Sequence, residues 1–260
     1  MSTELRIIPL QGIGEIQPGS DLGLAIHEAL KSQGLRLQKG DIFVITQKIV
    51  SKAEGRTVHL DEVQASPFAH KIAEQGTRLG NKKDARHIEV VLQESKRIVR
   101  MDHGVLICET EHGFICANAG VDESNVNGEH LLTLLPADPD TSAQTLRARL
   151  QQLAGEEANF DIVVIISDTW GRPWRNGQVN MAIGVAGMEP LVDYRGQYDP
   201  YGYELRASII AVADELAAAA ELVMGKVERI PVALIRGYSY VPAIGNGEAL
   251  IRDSATDMFR

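Results

Sequence analysis

Residues 161–168 read DIVVIISD, from Asp161 through Ile162, Val163, Val164, Ile165, Ile166 and Ser167 to Asp168. A run of β-branched residues of this length, closed by polar residues at both ends, is the clearest strand in the chain. Asp41–Thr46 (DIFVIT) is a second strand of the buried type. Between and around these two runs the pattern changes period repeatedly. The fold expected is therefore mixed, α/β or α+β, with sheets flanked by helices.

Working outward, Leu5–Leu10 reads as a short strand and QGIGEIQPGSD as a tight loop. Asp21 can cap a helix over Leu22–Gln33, with Gly34 as its stop. After the DIFVIT strand comes a polar run, with Gln47, Lys48, Ser51, Lys52, Glu54, Gly55 and Arg56, expected as a turn. Helices are predicted at about 66–79 and 84–95, the first opened by Ser66 and Pro67. Val105–Cys108 and Phe114–Ala117 form a hairpin around Glu111-His112-Gly113. Pro136–Asp140 is linker-like, and Thr141 is expected to cap a helix through about Leu153. Gly171–Gly202 is too long for an ordinary turn and reads as a functional loop or as strands of its own. A long helix over about Glu204–Met224 and a strand at Pro231–Ile235 complete the chain.

Composition narrows the function. The chain has 260 residues, 26 Lys+Arg against 35 Asp+Glu and a net charge of −9. A chain of this size buries roughly 70–75% of its unfolded surface, enough for one large domain or two small lobes. The acidic balance speaks against general nucleic-acid binding, which needs a basic face. No apolar run approaches the ~20 residues of a membrane helix, and MSTELRIIPL lacks the features of a secretory leader. A cytoplasmic protein without membrane contact is the expectation. Cys108 and Cys116 flank a short turn where a bridge is geometrically feasible, but reduced thiols are expected. There is no Walker A loop, no H-E-x-x-H, no G-x-S-x-G and no dinucleotide-binding glycine spacing.

Four groups of residues could carry chemistry. Asp168 and Thr169, at the end of the strongest strand, offer a carboxylate and a hydroxyl at a common ligand position, in keeping with magnesium's preference for oxygen; a turn cap is the plainer reading. Asp122, with Ser124 and Asn125 behind it, could complete such a site or merely form an Asx turn. Lys48 and Lys52 could meet phosphate, or lie on a solvated turn. Arg172 and Arg175 in WGRPWRNG could neutralise an anionic substrate or a transferring phosphoryl group. Asp214-Glu215 reads as a solvent face or as a further acidic contribution to the cleft.

Taken together, ITQKIVSKAEGR ending at Arg56, NAGVDESNV over 118–126, SDTWGRPWRNG over 167–177, AIGVAGMEPLVDYRGQYDPYGYEL and DELAAAAELVMGK resemble the coenzyme F420-0:L-glutamate ligase family, the F420 γ-glutamyl ligases. The resemblance runs through nearly the whole chain in order. It implies a GTP-dependent amide ligase that adds L-glutamate to F420-0 and then γ-linked glutamate, through an acyl phosphate, releasing GDP and phosphate. It implies mixed, largely antiparallel sheets with flanking helices, two lobes and an intertwined homodimer. Residues 1–260 would form one catalytic unit, without the C-terminal reductase-like domain of some relatives.

On the same resemblance, Asp122, Asp168 and Thr169 are ligands of Mg²⁺ or Mn²⁺, with two divalent ions expected and K⁺ as a further ion. Gly12, Ile13, Gly14, Gln47, Lys48, Lys52 and Asn125 are GTP contacts, joined by the segment around Lys226 and Glu228. Asp168, Arg172 and Arg175 form the expected catalytic set. One position departs from the pattern. Members often carry an acid or amide after the Met-Gly pair, where this chain has Lys226. Either Glu228 or Glu221 takes that role, or the second metal site is altered. A ligase for another phosphorylated carboxylate acceptor and a GTP-binding protein without catalysis are the alternatives.

Overall fold

The computed structural model describes residues 4–80, 82–102, 104–123, 131–155 and 161–258. In chain order the elements are β1 (Arg6–Pro9), α1 (Leu22–Ser32), β2 (Ile42–Thr46), α2 (Gln47–Ala53), β3 (Thr57–His59), α3 (Pro67–Arg78), α4 (Ala85–Gln93), β4 (Ser95–Asp102), β5 (Val105–Thr110) and β6 (Ile115–Ala117). They continue with β7 (Leu131–Thr133), α5 (Pro139–Ala154), β8 (Val163–Arg172), β9 (Arg175–Ala186), β10 (Val192–Asp193), β11 (Ile209–Ile210), α6 (Val212–Met224) and β12 (Val232–Arg236). The architecture is mixed α/β, and most strand pairs are antiparallel.

A five-stranded sheet in the order β1-β12-β2-β8-β9 carries the larger core. Among the described residues only β2 and β8 pair in parallel, with Ile42 opposite Val163 and Thr46 opposite Ser167. Both central strands are apolar at every inner position because both faces of the sheet are covered. Phe43, Ile45, Val164, Ile166 and Leu234 pack with Ile26 and Leu30 of α1 and with Leu146 and Leu150 of α5. The alternate set, Val44, Val163, Ile165 and Ile235, packs with Leu216, Ala217 and Ala220 of α6. The side-chain period of two thus sorts one strand's residues into two helical layers.

A separate cluster gathers α3, α4, the β3–β7 ribbon and the β4–β5–β6 sheet around Ile72, Ile88, Leu106, Cys108 and Leu132. Cys108 and Cys116 lie opposite one another across β5 and β6, and both are free, buried thiols. Burial pushes the Cys116 thiol up to about 12, so it is an inert core group.

Several local expectations hold. Asp21 caps α1, accepting from the Leu24 amide at 2.9 Å, and Ser66 caps α3 with Pro67 in its first turn. Others are corrected. The polar run after β2 is the helix α2, not a turn, and the helix at 141 begins at Pro139, capped by Asp138. Asp138 takes the Thr141 amide and hydroxyl, so Thr141 is the recipient of the cap. The long C-terminal helix begins at Val212, not near 204, and the preceding residues hold β11. The glycine-rich stretch contains β9 and β10. Strand β4 was not foreseen: its burial pattern has no clean alternation, and two register irregularities interrupt its pairing with β5.

Most consequential is β8. It does not stop at Asp168 but runs on to Arg172, where it turns into β9. Its apolar signal ends earlier because its parallel neighbour ends earlier, at Thr46. Beyond Ser167 the strand is paired on one side only, so polar residues become tolerable there.

Candidate active site

At Thr46 the chain of β2 turns directly into α2, while β8 continues beside β9. The crevice beyond the carboxyl ends of parallel strands is where open α/β sheets place ligands. Gln47 and Lys48 begin α2 there, and Asp168 and Thr169 extend past it on β8. Asp122 is held nearby by reciprocal backbone hydrogen bonds with Thr133 at 2.8 and 3.0 Å. Just before it, Asn118 (φ 54°) and Ala119 (φ 52°) both adopt left-handed backbone. Such strain concentrates at ligand clamps and active sites.

The charges form two adjoining networks. In the first, Lys48 Nζ lies 2.7 Å from Asp122 Oδ2. The Asp168 carboxylate accepts from its neighbour's amide, Thr169 N, at 2.8 Å and from Trp170 Nε1 at 2.9 Å. Burial raises the Asp168 pKa to about 6; the two hydrogen bonds oppose the rise, the Asp122 charge adds to it and Lys48 opposes it. Two carboxylates close enough to perturb one another, beside Lys48, form a site that a further cation would relieve.

The second network lies on the other side of β8, since successive strand residues project oppositely. Thr169 Oγ1 donates to Asn180 Oδ1 at 2.6 Å, and Asn180 Nδ2 donates to Glu221 Oε2 at 2.8 Å. Lys226 Nζ donates to Thr169 Oγ1 at 2.6 Å and pairs with Glu221 Oε1 at 2.9 Å. The ring closes on itself. Glu221, rather than Glu228, stands beside Lys226. The Glu228 carboxylate folds back to accept from the Val227 amide at 2.9 Å, on an exposed turn.

Among the described residues no group of three or more His, Cys, Asp or Glu side chains could hold a metal. Asp122 and Asp168 nevertheless fit one hard divalent ion, because Mg²⁺ commonly takes one or two carboxylates and completes its shell with phosphate and water. Thr169 Oγ1 lies on the other side of β8, where it donates to Asn180 Oδ1 and accepts from Lys226 Nζ. Three buried polar atoms near the end of β2 lack a partner: Gln47 Nε2, Ser167 Oγ and Thr133 Oγ1. Buried polar atoms are nearly always satisfied, so these groups have capacity for a ligand.

The remaining expected contacts are placed as follows. Gly12, Ile13 and Gly14 link β1 to α1 and, with Ala25, Glu28, Ala29 and Ser32, line a cavity of about 200 Å³. Lys52 of α2 pairs with Glu15 just beyond that loop, and the Gly19 amide bonds Ala53 O at 2.8 Å. The glycine loop and α2 therefore form one continuous strip. Arg172 and Arg175 face each other across the tip of the β8–β9 hairpin, with Arg172 donating to Asn176 O at 3.1 Å. Strand rise places Arg172 on the order of 13 Å along β8 from Asp168, outside the two networks. Asn125 lies outside the described residues.

Sequence reasoning missed Asn180, Lys83 and His87. Asn180 sits in register opposite Thr169, a relationship that appears only once Gly171–Gly177 is read as a hairpin tip. Lys83 Nζ lies 2.8 Å from Asn118 Oδ1, steadying the strained turn before Asp122. His87 is buried on α4, and its pKa is lowered first by burial and then by Lys83. Asp214 accepts from the Ala182 amide at 2.9 Å, ties α6 to β9 and lines a cavity with Trp170 and Met181, while Glu215 faces solvent. The Asp214 pKa is raised by burial.

An α/β fold with paired carboxylates and a lysine at the mouth of a parallel strand pair has the architecture of an enzyme. The chain belongs to the F420-0:gamma-glutamyl ligase family, whose model matches residues 12–237. It is 46% identical to the coenzyme F420:L-glutamate ligase of Methanothermobacter thermautotrophicus, over 98% of this chain and 99% of that one. It is 44% identical to the protein of that name from Methanopyrus kandleri, over 98% of both chains. It is 38% identical to that from Archaeoglobus fulgidus, over 98% of this chain and 96% of the other. Among the described residues no helix is long and apolar enough to cross a membrane.

Proposed function

We propose that this chain joins L-glutamate to coenzyme F420-0 through an amide bond, using GTP to activate the acceptor carboxylate, and then adds γ-linked glutamate. The full-length similarity to glutamate ligases of that coenzyme supports the substrates. The observation that carries the chemistry is the Lys48–Asp122 pair beside Asp168. Phosphoryl transfer asks the protein mainly for positioning and charge neutralisation, and this cluster offers both.

In this reading an oxygen of the acceptor carboxylate attacks the γ-phosphorus and GDP leaves. The glutamate amine then attacks the acyl phosphate carbon, the C–N bond forms, the C–O bond to phosphate breaks and the amine gives up a proton. Asp122 and Asp168 would hold one Mg²⁺ or Mn²⁺, which when bound neutralises phosphate charge. Lys48 and Lys52 add fixed positive charge along α2, and the Gly12–Gly14 loop lets backbone amides approach the nucleotide closely. Arg172 and Arg175, at the hairpin tip, suit the anionic ends of the acceptor or of glutamate. The chain is read as working as a homodimer in the cytoplasm.

Purified protein incubated with GTP, Mn²⁺, F420-0 and glutamate should give a glutamylated product and GDP by mass spectrometry. No added glutamate under these conditions would overturn the reading. An acceptor panel checks the specificity: only the deazaflavin compound should be extended.

A further inference from the structure

The Lys226–Thr169–Asn180–Glu221 ring has no counterpart in the expectation of two divalent ions. Each of its four side chains is held by its neighbours in the ring, with the Lys226 stem reaching in from an exposed turn. The single Thr169 proton goes to Asn180 Oδ1 at 2.6 Å, and the Thr169 oxygen accepts from Lys226 Nζ at 2.6 Å. One Glu221 oxygen meets Lys226 at 2.9 Å and the other accepts from Asn180 Nδ2 at 2.8 Å. The Asn180 amide can satisfy both neighbours only in this orientation, with its oxygen toward the hydroxyl and its nitrogen toward the carboxylate. The contacts of Lys226 and Glu221 are charge-assisted hydrogen bonds, whereas Mg²⁺ demands oxygens at about 2.0–2.1 Å in an octahedron.

The backbone places the lysine there by construction. α6 ends at Met224, and Gly225 follows with φ 61°. A side chain at 225 would be strained, and its Cβ would come 2.0 Å from the Glu228 carboxylate. The left-handed turn carries Lys226 back across the helix end to Glu221. A cation is favoured at this end of α6 by the helix dipole as well.

We propose that the Lys226 ammonium is a built-in cation of this site, standing between Thr169 and Glu221 where a second divalent ion would need its ligands, so that the chain binds one divalent ion rather than two. The inference rests on the Asp122–Asp168 ion of the functional reading above. Lys226 is then a positioning residue: it fixes Thr169, and through it the strand segment that carries Asp168, with a charge that never has to be recruited. Saturation by divalent metal should accordingly be non-cooperative.

The test counts metal and does not depend on turnover. Mn²⁺ bound per chain is measured by electron paramagnetic resonance with saturating GDP, for wild type and for Lys226→Asp, which exchanges the ammonium for a carboxylate. One ion per wild-type chain and two per K226D chain are expected. A wild-type count of two overturns this inference and leaves the functional reading intact. A wild-type count of zero removes the metal from that reading and this inference with it. A folded K226D variant that still binds one ion overturns the inference as well. Should K226D fail to fold, the wild-type count decides alone.

Discussion

Lys48 Nζ sits 2.7 Å from Asp122 Oδ2, so the first turn of α2 is pinned to the strained turn after β6. The pair brings a cation to two carboxylates, of which Asp122 raises the pKa of Asp168, and in the proposed reaction its lysine would neutralise phosphate charge. Lys48→Ala removes a charged hydrogen-bond partner, worth about 1.5–3 kcal/mol for such contacts. kcat/KM for GTP should fall roughly 10- to 100-fold. Steady-state kinetics of GDP release measures this, and an unchanged KM for GTP with unchanged kcat would contradict the assignment.

Asp168 presents the opposite balance of stability and function. Burial first, then the neighbouring Asp122 charge, raise its pKa to about 6 from the ordinary 3.8. A carboxyl group whose folded pKa is raised favours the folded state most below its unfolded pKa. That contribution is lost as pH rises through the folded value, here between about 4 and 6. At pH 8 and without metal the ionised group is therefore a local burden. Asp168→Asn should remove the fall of the metal-free midpoint between about pH 4 and 6 that this group contributes, and abolish ligation. An unchanged pH dependence of the midpoint, or full activity, would refute this account.

Asp21 works in the other direction. The Arg149 guanidinium, with the Leu24 amide after it, holds its carboxyl below the usual range. Its contribution is present above the unfolded pKa and fades as pH falls through the lower, folded one. Removing the cap with Asp21→Ala should cost about 1 kcal/mol, or roughly 2–4 °C in thermal midpoint for a chain of this size class. The wild-type and variant midpoints should converge as pH drops below about 4. A difference that does not narrow at all between pH 6 and pH 2 would show that the cap acts through packing instead.

Much of the sheet was legible because its signal is local. DIFVIT and DIVVIIS carry their burial in their composition, and Asp21 and Ser66 announce helices through a single side chain each. What was not legible depends on neighbours distant in sequence. β8 outlasts its apolar run only because β9 supports it, and Asn180 joins Thr169 only through that register. The site divided in the same way. Asp122, Asp168 and Lys48 could be named from chemistry and resemblance, and the fold brings them together. Thr169 could be named beside Asp168, but its contacts with Lys226 and Asn180 could not, because they depend on how α6 ends. Arg172 and Arg175 follow Asp168 closely in sequence, but an extended strand converts four residues into a long separation.

The joint between α5 and β9 lies apart from the site. Asp140, in the first turn of α5, accepts from the Val185 amide at 2.8 Å and from the Gly247 amide at 2.7 Å through one carboxylate oxygen. Gly184 lets the helix come this close: a Cβ there would lie 2.3 Å from Pro139 O. Asp140→Ala leaves two backbone donors without their acceptor, each at a cost of about 1–3 kcal/mol. The summed loss of about 2–6 kcal/mol corresponds to a thermal midpoint lower by at least 4 °C. The joint touches neither the Lys48–Asp122–Asp168 cluster nor the Lys226 ring. Ligation per folded molecule at 25 °C should therefore stay within about twofold of wild type, since distant sites act independently. Thermal melts and activity assays on the same preparation separate the two effects. A lost activity at an unchanged midpoint would show instead that Asp140 belongs to the site.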